Sequence, residues 1–232
     1  MQKIVLPSTD STMLEAARRA PDLTGPTWIL ALDQTAARGR RGREWKHPKG
    51  NFAATLVLDA PDPAQAALRS FTTSLALYDT FQSLGIREGL GLKWPNDVLL
   101  NGGKVAGILL ESLPPGRLAI GVGINLSEAP GAAEVEEGAT APVTLGSDAS
   151  PEEVLDLLAT AYAAWETQFQ TYGFEPIRTA WLARAAKLGE PIRARTTRDE
   201  HHGTFETIDM DGQLVLSTAK GRMTIPAADV YF

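Results

Sequence analysis

The chain has 232 residues, 44% of them hydrophobic and 22% charged, enough for one good core or for two unequal domains. With 22 basic against 28 acidic residues and a net charge of −6, it lacks the basic excess of a general nucleic-acid or anionic-membrane binder. The absence of cysteine excludes disulfides, thiolate metal sites and a cysteine nucleophile, and three histidines (His47, His201, His202) are poor material for a zinc site. The opening MQKIVLPSTDS has no apolar core of a secretion signal, and no run of about 18 apolar residues exists that could span a bilayer, so a cytoplasmic protein is expected.

In chain order, Asp10-Ser11-Thr12 reads as a helix start, where a side-chain oxygen caps free N–H groups. Thr27 to Leu32 (TWILAL) and Phe52 to Leu58 read as buried strands. Pro63 to Leu84 sets Leu68, Phe71, Leu75, Tyr78 and Phe81 at steps of three and four, opens with a proline and closes on Gly85, which predicts an amphipathic helix. Leu90 to Trp94, Val105 to Glu111 and Leu118 to Ile124 are strand-like, separated by Pro95-Asn96 and Asn101-Gly102-Gly103 turns; the last two can pair across Pro114-Pro115-Gly116. Ser127 to Gly138, acidic and rich in alanine and glycine, is expected to be a mobile surface loop. Ser150-Pro151-Glu152-Glu153 spells a capping box ahead of a stripe of Val154, Leu155, Leu158, Tyr162, Trp165 and Phe169, and a third helix is expected after Pro176, with Ile177, Trp181, Leu182 and Ala185 inward.

Helices interspersed with adjacent strands predict an α+β fold, a mixed β-sheet with helices packed on one face. From Gly189 the character changes to short strands (Ile192 to Arg195, Gly203 to Ile208, Gln213 to Ser217, Arg222 to Pro226), the pattern of a small β-barrel, with His201-His202 in a turn. That piece is near the lower size limit for independent stability and should lean on the rest. Two domains are expected, residues 1–187 and 188–232.

The densest anomaly is Arg38-Gly39-Arg40-Arg41-Gly42-Arg43, four arginines in six residues of an acidic chain. Guanidinium groups bind phosphate and carboxylate bidentately, and the glycines let the loop move, so a loop that closes over a phosphate or carboxylate ligand is one reading, and a solvated turn or a nucleic-acid patch the other. Lys104, between Asn101-Gly102-Gly103 and an apolar strand, either projects its ammonium into a pocket, where it would neutralise anionic reactants, or sits on an exposed turn. Asp97, after Pro95-Asn96, either faces a cation or forms an Asx-turn. Gly121-Val122-Gly123-Ile124-Asn125-Leu126 fails as a dinucleotide fingerprint, because Leu126 stands at the third glycine and no helix pattern follows. Gly103-Lys104 fails as a P-loop, because Val105 replaces the hydroxyl residue and Val98 the first glycine. The glycines fit close approach of a ligand to a strand instead.

Taken together, the arginine loop with Trp45 and Pro48-Lys49-Gly50, then KWPND at Lys93 to Asp97, KVAGILLE at Lys104 to Glu111, and GVGINL at Gly121 to Leu126 resemble the biotin protein ligases. The resemblance implies their class II aminoacyl-tRNA synthetase-like fold with a small C-terminal SH3-like β-barrel. It implies a two-step reaction: biotin and MgATP give biotinyl-5′-AMP and pyrophosphate, then biotin passes to one lysine of a biotin carboxyl carrier protein of acetyl-CoA carboxylase or a related carboxylase. Carried over by position, Ser11, Thr12, Met13 and Gln34 resemble biotin contacts, and Gly107 and Gly123 let the ligand lie on the strands. Arg38, Gly39 and Arg40 resemble the loop closing over biotin and the adenylate phosphate, while Arg43, Trp45, Asn96 and Asn125 resemble the nucleotide side. Lys104 resembles the charge bridging carboxylate and α-phosphate; with Arg40 and Asp97 it makes the catalytic set. ATP and Mg²⁺ are the implied cofactors, with the metal ligands unassigned.

The chain departs from the family pattern at Ala37, where glycine is usual, and at Met13, where asparagine is common. About ten residues precede Ser11, so the helix-turn-helix domain of some relatives, and DNA binding with it, are not expected. The family allows a homodimer by edge-to-edge sheet pairing. A lipoate or octanoate ligase or transferase of the same fold is the nearest alternative, and a non-catalytic biotin-binding regulator the next.

Overall fold

The computed structural model describes residues 1–43, 45–60, 62–131 and 140–232, and leaves out the side chain of Arg40. The loop expected from Ser127 to Gly138 therefore falls outside the described residues from residue 132 onward.

Among the described residues, the main sheet has seven strands: β1 (Gln2–Leu6), β2 (Thr27–Ala31), β3 (Phe52–Asp59), β4 (Leu90–Lys93), β5 (Asp97–Leu100), β6 (Gly103–Leu113) and β7 (Arg117–Ile124). Their order is β1-β2-β3-β7-β6-β5-β4. β1 and β2 run parallel, joined through helix α1 (Thr12–Arg19), and the other neighbours are antiparallel, so the sheet is mixed as expected. The hairpin across Pro114-Pro115-Gly116 forms, pairing Leu113 with Arg117. β1 and β5 escaped the sequence reading. QKIVL is an edge strand with no fully buried residue, and DVLL is four residues long directly after a Pro-Asn turn.

Side chains alternate across a strand, and here the alternation divides two different surfaces. Phe52, Ala54, Leu56 and Leu58 of β3, with Leu118, Ile120, Val122 and Ile124 of β7, face the main core. Val57 and Ala119 face the other way, onto Met13 and Ala16 of α1 and onto Ala20 just after it. The expectation of helices on one face is thus corrected: α1 lies opposite the long helices, because β2 carries apolar residues on both sides and Ile29 needs cover as much as Trp28 and Leu30. At eight residues α1 is only about 12 Å long, too short to cover the glycines farther along β6 and β7.

On the core side lie α2 (Pro63–Ser83), α3 (Pro151–Tyr172) and α4 (Phe174–Leu182). The capping box of α3 forms as read, Glu153 N donating to Ser150 Oγ and Ser150 N to the Glu153 carboxylate. α2 forms where the spacing predicts it, but more than its apolar stripe is buried. Arg69, Ser70, Thr72, Thr73, Ser74 and Thr80 are buried with its apolar residues, and the hydroxyls of Thr73 and Thr80 donate to the carbonyls of Arg69 and Ala76 one turn back. α4 starts two residues before Pro176: Gly173, at φ 75°, breaks the chain after α3, and a proline in a first helical turn has no N–H to lose.

The C-terminal strands β8 (Pro191–Arg195), β9 (Glu200–Ile208), β10 (Leu214–Thr218), β11 (Gly221–Ile225) and β12 (Asp229–Tyr231) form an antiparallel sheet in the order β11-β10-β9-β8-β12. Among the described residues no pairing joins β11 to β12, so the piece is an open SH3-like sheet and not the expected closed barrel. Its apolar residues Ile192, Phe205, Ile208, Leu214 and Val230 belong to the same core as α2 and α4, which supply the cover that closure would otherwise provide. His201 and His202 lie within β9, not in a turn. The sheet leans on the larger part as expected. Trp94 Nε1 donates to the Gly212 carbonyl at 2.9 Å, Arg178 Nε donates to the Ile208 carbonyl at 2.6 Å, and the Phe205 ring lies edge-on to Trp181. Gly212 has φ 75°, and a Cβ there would stand 2.7 Å from the Phe71 ring, so the turn requires glycine on both counts. Among the described residues no helix is long and apolar enough to cross a membrane.

Candidate active site

On the face that α1 leaves uncovered is a pocket of about 530 Å³. Ser11, Thr12, Met13, Gln34, Arg38, Gly39, Arg43, Trp45, Asn96, Asp97, Lys104, Gly107, Gly123 and Asn125 all line it, so every candidate named from sequence converges there except Arg40, whose side chain is outside the described part. The floor is made of small residues. Gly107 and Gly123 are cross-strand partners, and two residues along β7 Gly121 pairs with Leu109.

At one end the groups are neutral. Ser11 caps α1, its Oγ accepting from Met13 N at 3.3 Å, so the capping role and the pocket-lining role coexist. Thr12 N donates to Gln34 Oε1 at 2.7 Å, and Thr55 Oγ1 donates to Thr12 Oγ1 at 2.9 Å, which fixes both wall residues although they come from distant segments. Asp10 stays out of this end: its carboxyl is held well below the usual carboxylate range, chiefly by Arg18 and then by the Ser11 N–H. Met13, the departure from the family pattern, packs its thioether over Gly121 and makes this wall apolar.

The other end is charged. Lys104 Nζ lies 2.6 Å from Asp97 Oδ1 in an ion pair whose angles fall outside hydrogen-bond geometry, and 5.5 Å from the centre of the Trp45 ring. Lys104 is therefore a pocket lysine and not an exposed turn, and Asp97 opens β5 facing it. Backbone hydrogen bonds from Lys104 N to the Ala141 carbonyl (2.8 Å) and from Val143 N to the Lys104 carbonyl (2.9 Å) hold its main chain. The Asn125 amide donates to the carbonyls of Val143 (3.1 Å) and Lys104 (3.3 Å), bracing the same place. Asn96 Nδ2 donates to the Ile108 carbonyl, fixing the turn before Asp97.

Two residues of this end were not foreseen as parts of it. Lys93 opens KWPND, but it is buried behind the pocket, its Nζ donating to Thr140 Oγ1 at 2.6 Å. Burial pushes its ammonium below the ordinary lysine range, against the pull of Asp97. Asp229, from β12, lines the mouth and meets the arginine loop, Arg41 Nη1 at 2.6 Å and Arg43 Nη2 at 3.2 Å from its Oδ2. No local signal marks an aspartate so far along the chain. Ala37 is buried, and its carbonyl accepts from Trp45 N at 3.0 Å, closing the base of the loop.

Trp45 lies flat enough on the floor that a Cβ at Gly123 would come within 2.6 Å of its indole ring. Gly123→Ala should displace the indole and weaken binding of pocket ligands by about tenfold with little loss of thermal stability, because the crowding is at the pocket and not in the core. Calorimetric titration beside a melting curve checks this, and unchanged affinity would count against close ligand approach at Gly123.

A neutral hydrogen-bonding end, a glycine floor and a cationic end flanked by an arginine loop are the layout of an enzyme that activates an organic acid on a nucleotide. Residues 4–127 match the biotin/lipoate A/B protein ligase family, and residues 187–232 match the biotin protein ligase C terminal domain. The chain is 56% identical, over 98% of its length and 99% of the relative's, to the biotin–[acetyl-CoA-carboxylase] ligase of Paracoccus denitrificans. It is 34% identical to the bifunctional ligase/repressor BirA of Bacillus subtilis, over 97% of this chain and 71% of that protein. It superposes on the Aquifex aeolicus biotin protein ligase in complex with biotin and ATP with a TM-score of 0.81 at 25% identity, covering 99% of this chain and 97% of that one. The chain belongs to the biotin/lipoate A/B protein ligase family, on its biotin protein ligase branch.

Proposed function

We propose that this chain activates biotin with ATP and transfers it to a lysine of a biotin carboxyl carrier domain, such as that of acetyl-CoA carboxylase. The observation that carries this reading is the convergence of Lys104, the arginine loop and the neutral Ser11, Thr12 and Gln34 end on one glycine-floored pocket.

In the first step a carboxylate oxygen of biotin attacks the α-phosphorus of ATP, an acyl–phosphate anhydride forms, and the bond to pyrophosphate breaks. Two anions must meet, and Lys104 lies where its charge would offset their repulsion, with Asp97 keeping the ammonium aimed until they arrive. The neutral end suits an uncharged, hydrogen-bonding ring system, and the glycine floor suits its flat approach. Arg38 and Arg43 suit the phosphate, and Trp45 offers a ring for the nucleotide side. In the second step the acceptor lysine's neutral amine attacks the acyl carbon and AMP leaves.

Among the described residues no group of three or more acidic or histidine side chains could hold a metal alone. One carboxylate beside substrate phosphates is the usual Mg²⁺ setting, so Asp97, with Asn96 beside it, fits the ion together with ATP. Bound there, Mg²⁺ would supply charge neutralisation at the phosphates. Residues 1–187 carry the chemistry in this reading, and residues 188–232 border its mouth.

The test is pyrophosphate release by the purified protein with MgATP and either biotin or lipoate, with the acyl-adenylate followed by mass spectrometry. Release with biotin alone is expected. Release with lipoate alone would replace biotin by the other acid of this family, and release with neither would leave a binding protein.

A further inference from the structure

The pocket draws on both sheets, and among the described residues that line it Asp229 is the one from the C-terminal sheet. Asp229 is the first residue of β12, and its side chain is only 15% exposed. Its strand is well fixed. Asp229 pairs with Arg195 of β8, and the guanidiniums of Arg193 and Arg195 each lie 4.8 Å from the centre of the Tyr231 ring. The Tyr231 hydroxyl also accepts from Arg195.

The partners of Asp229 stand on pliant ground. Arg41 and Arg43 belong to a segment with glycines at 39 and 42, Arg41 itself has a left-handed backbone at φ 58°, and both side chains are more than a third exposed. When a carboxylate on a paired strand meets guanidiniums on such a loop, the strand positions the loop.

We propose that Asp229 is the positioning residue of the arginine loop. It holds Arg41 and Arg43 at the pocket mouth before any nucleotide arrives, so that ATP meets a loop already ordered. Ordering a loop on binding costs affinity, and a preformed contact removes that cost. The contact also makes the loop answer to the C-terminal sheet, since Asp229 moves only with β12. This proposal rests on the ligase reading for its nucleotide but not for the ordering itself.

The experiment compares the unaltered chain with Asp229→Asn, Asp229→Glu and Arg41→Gln. Trypsin cuts after arginine, so cleavage between residues 38 and 43 in the ligand-free protein reports loop order without any activity. Asp229→Asn should speed that cleavage about fivefold and raise KM for ATP about tenfold, with biotin affinity measured without nucleotide changing less than twofold. Asp229→Glu should restore most of both. Arg41→Gln, which leaves the small sheet intact, should raise KM for ATP similarly, and adding it to Asp229→Asn should have little further effect.

A merely structural contact between the sheets would shift the melting temperature and leave the ratio of ATP to biotin effects unchanged. Unchanged cleavage in Asp229→Asn overturns the proposal. So does a KM for ATP that stays within twofold or falls, since a falling value would mean that the carboxylate competes with phosphate. Should Asp229→Asn not fold, Arg41→Gln carries the same comparison of KM for ATP against biotin affinity. Absence of pyrophosphate release by the unaltered chain would sink the ligase reading instead, while the trypsin comparison would still decide whether Asp229 orders the loop.

Discussion

Lys104→Ala should slow biotin-dependent formation of the acyl-adenylate by about a hundredfold to a thousandfold, the scale on which removing one preorganised electrostatic group acts. The loss is large because the substitution does two things. It removes the cation between carboxylate and phosphate, and it leaves Asp97 unpaired at the same spot, where its charge repels both reactants. Adding Asp97→Asn to Lys104→Ala separates the two contributions: partial recovery of the rate means repulsion dominates, and a further loss means the carboxylate is needed beside the phosphates. Lys93 cannot substitute, because its Nζ is buried and bonded to Thr140. Single-turnover appearance of the adenylate, measured by quenched flow, is the readout. A rate within threefold of the unaltered chain would remove Lys104 from the catalytic set.

Glu166→Ala should destabilise the fold by about 3–5 kcal/mol, as expected for breaking a buried ion pair from one side. Arg69 on α2 and Glu166 on α3 are both nearly inaccessible, with Arg69 Nη2 and Nε donating to Glu166 Oε1 at 2.7 and 3.1 Å. Tyr162 donates its hydroxyl to Oε2 at 3.0 Å, and Gln170 Nε2 donates to Oε1 at 2.9 Å. Removing the carboxylate strands a guanidinium and a phenol in the helix interface. Replacing both partners by apolar residues, Arg69→Met with Glu166→Leu, should cost far less, because no charge is left behind. Denaturant midpoints of the three variants decide this, and equal losses for single and double variants would show that packing and not charge governs the pair.

The parts legible from sequence were those whose cause is local. The α3 capping box, the hairpin through Pro114-Pro115-Gly116 and the buried TWILA strand each depend on residues within a few positions of one another. The candidate site was legible for a related reason. Arginines clustered between glycines in an acidic chain, and a lysine entering an apolar strand, are unusual enough to mark chemistry before their meeting place is known.

Other features were hidden because burial, not pattern, makes them. The hydroxyl-rich side of α2 looks solvated in sequence yet is buried: Thr73, Ser74 and Thr80 donate to the helix's own carbonyls, Ser70 donates to the Pro95 carbonyl, and Trp181 of α4 donates to Ser74 Oγ. β1 and β12 are edge strands of five and three residues, too short and too half-buried to show a period.

By itself the sequence determined the helices, most strands and the α+β class, because periodicity and caps act over short spans; the charge clusters pointed to chemistry, and the other candidate pocket residues came from the family resemblance. Only the tertiary structure decided that α1 lies on the face opposite the long helices, that the C-terminal strands stay an open sheet against α2 and α4, and that Asp229 meets Arg41 and Arg43. Those outcomes depend on which surfaces exclude water together and which charges then face each other, and that is settled by contacts between segments far apart in the chain.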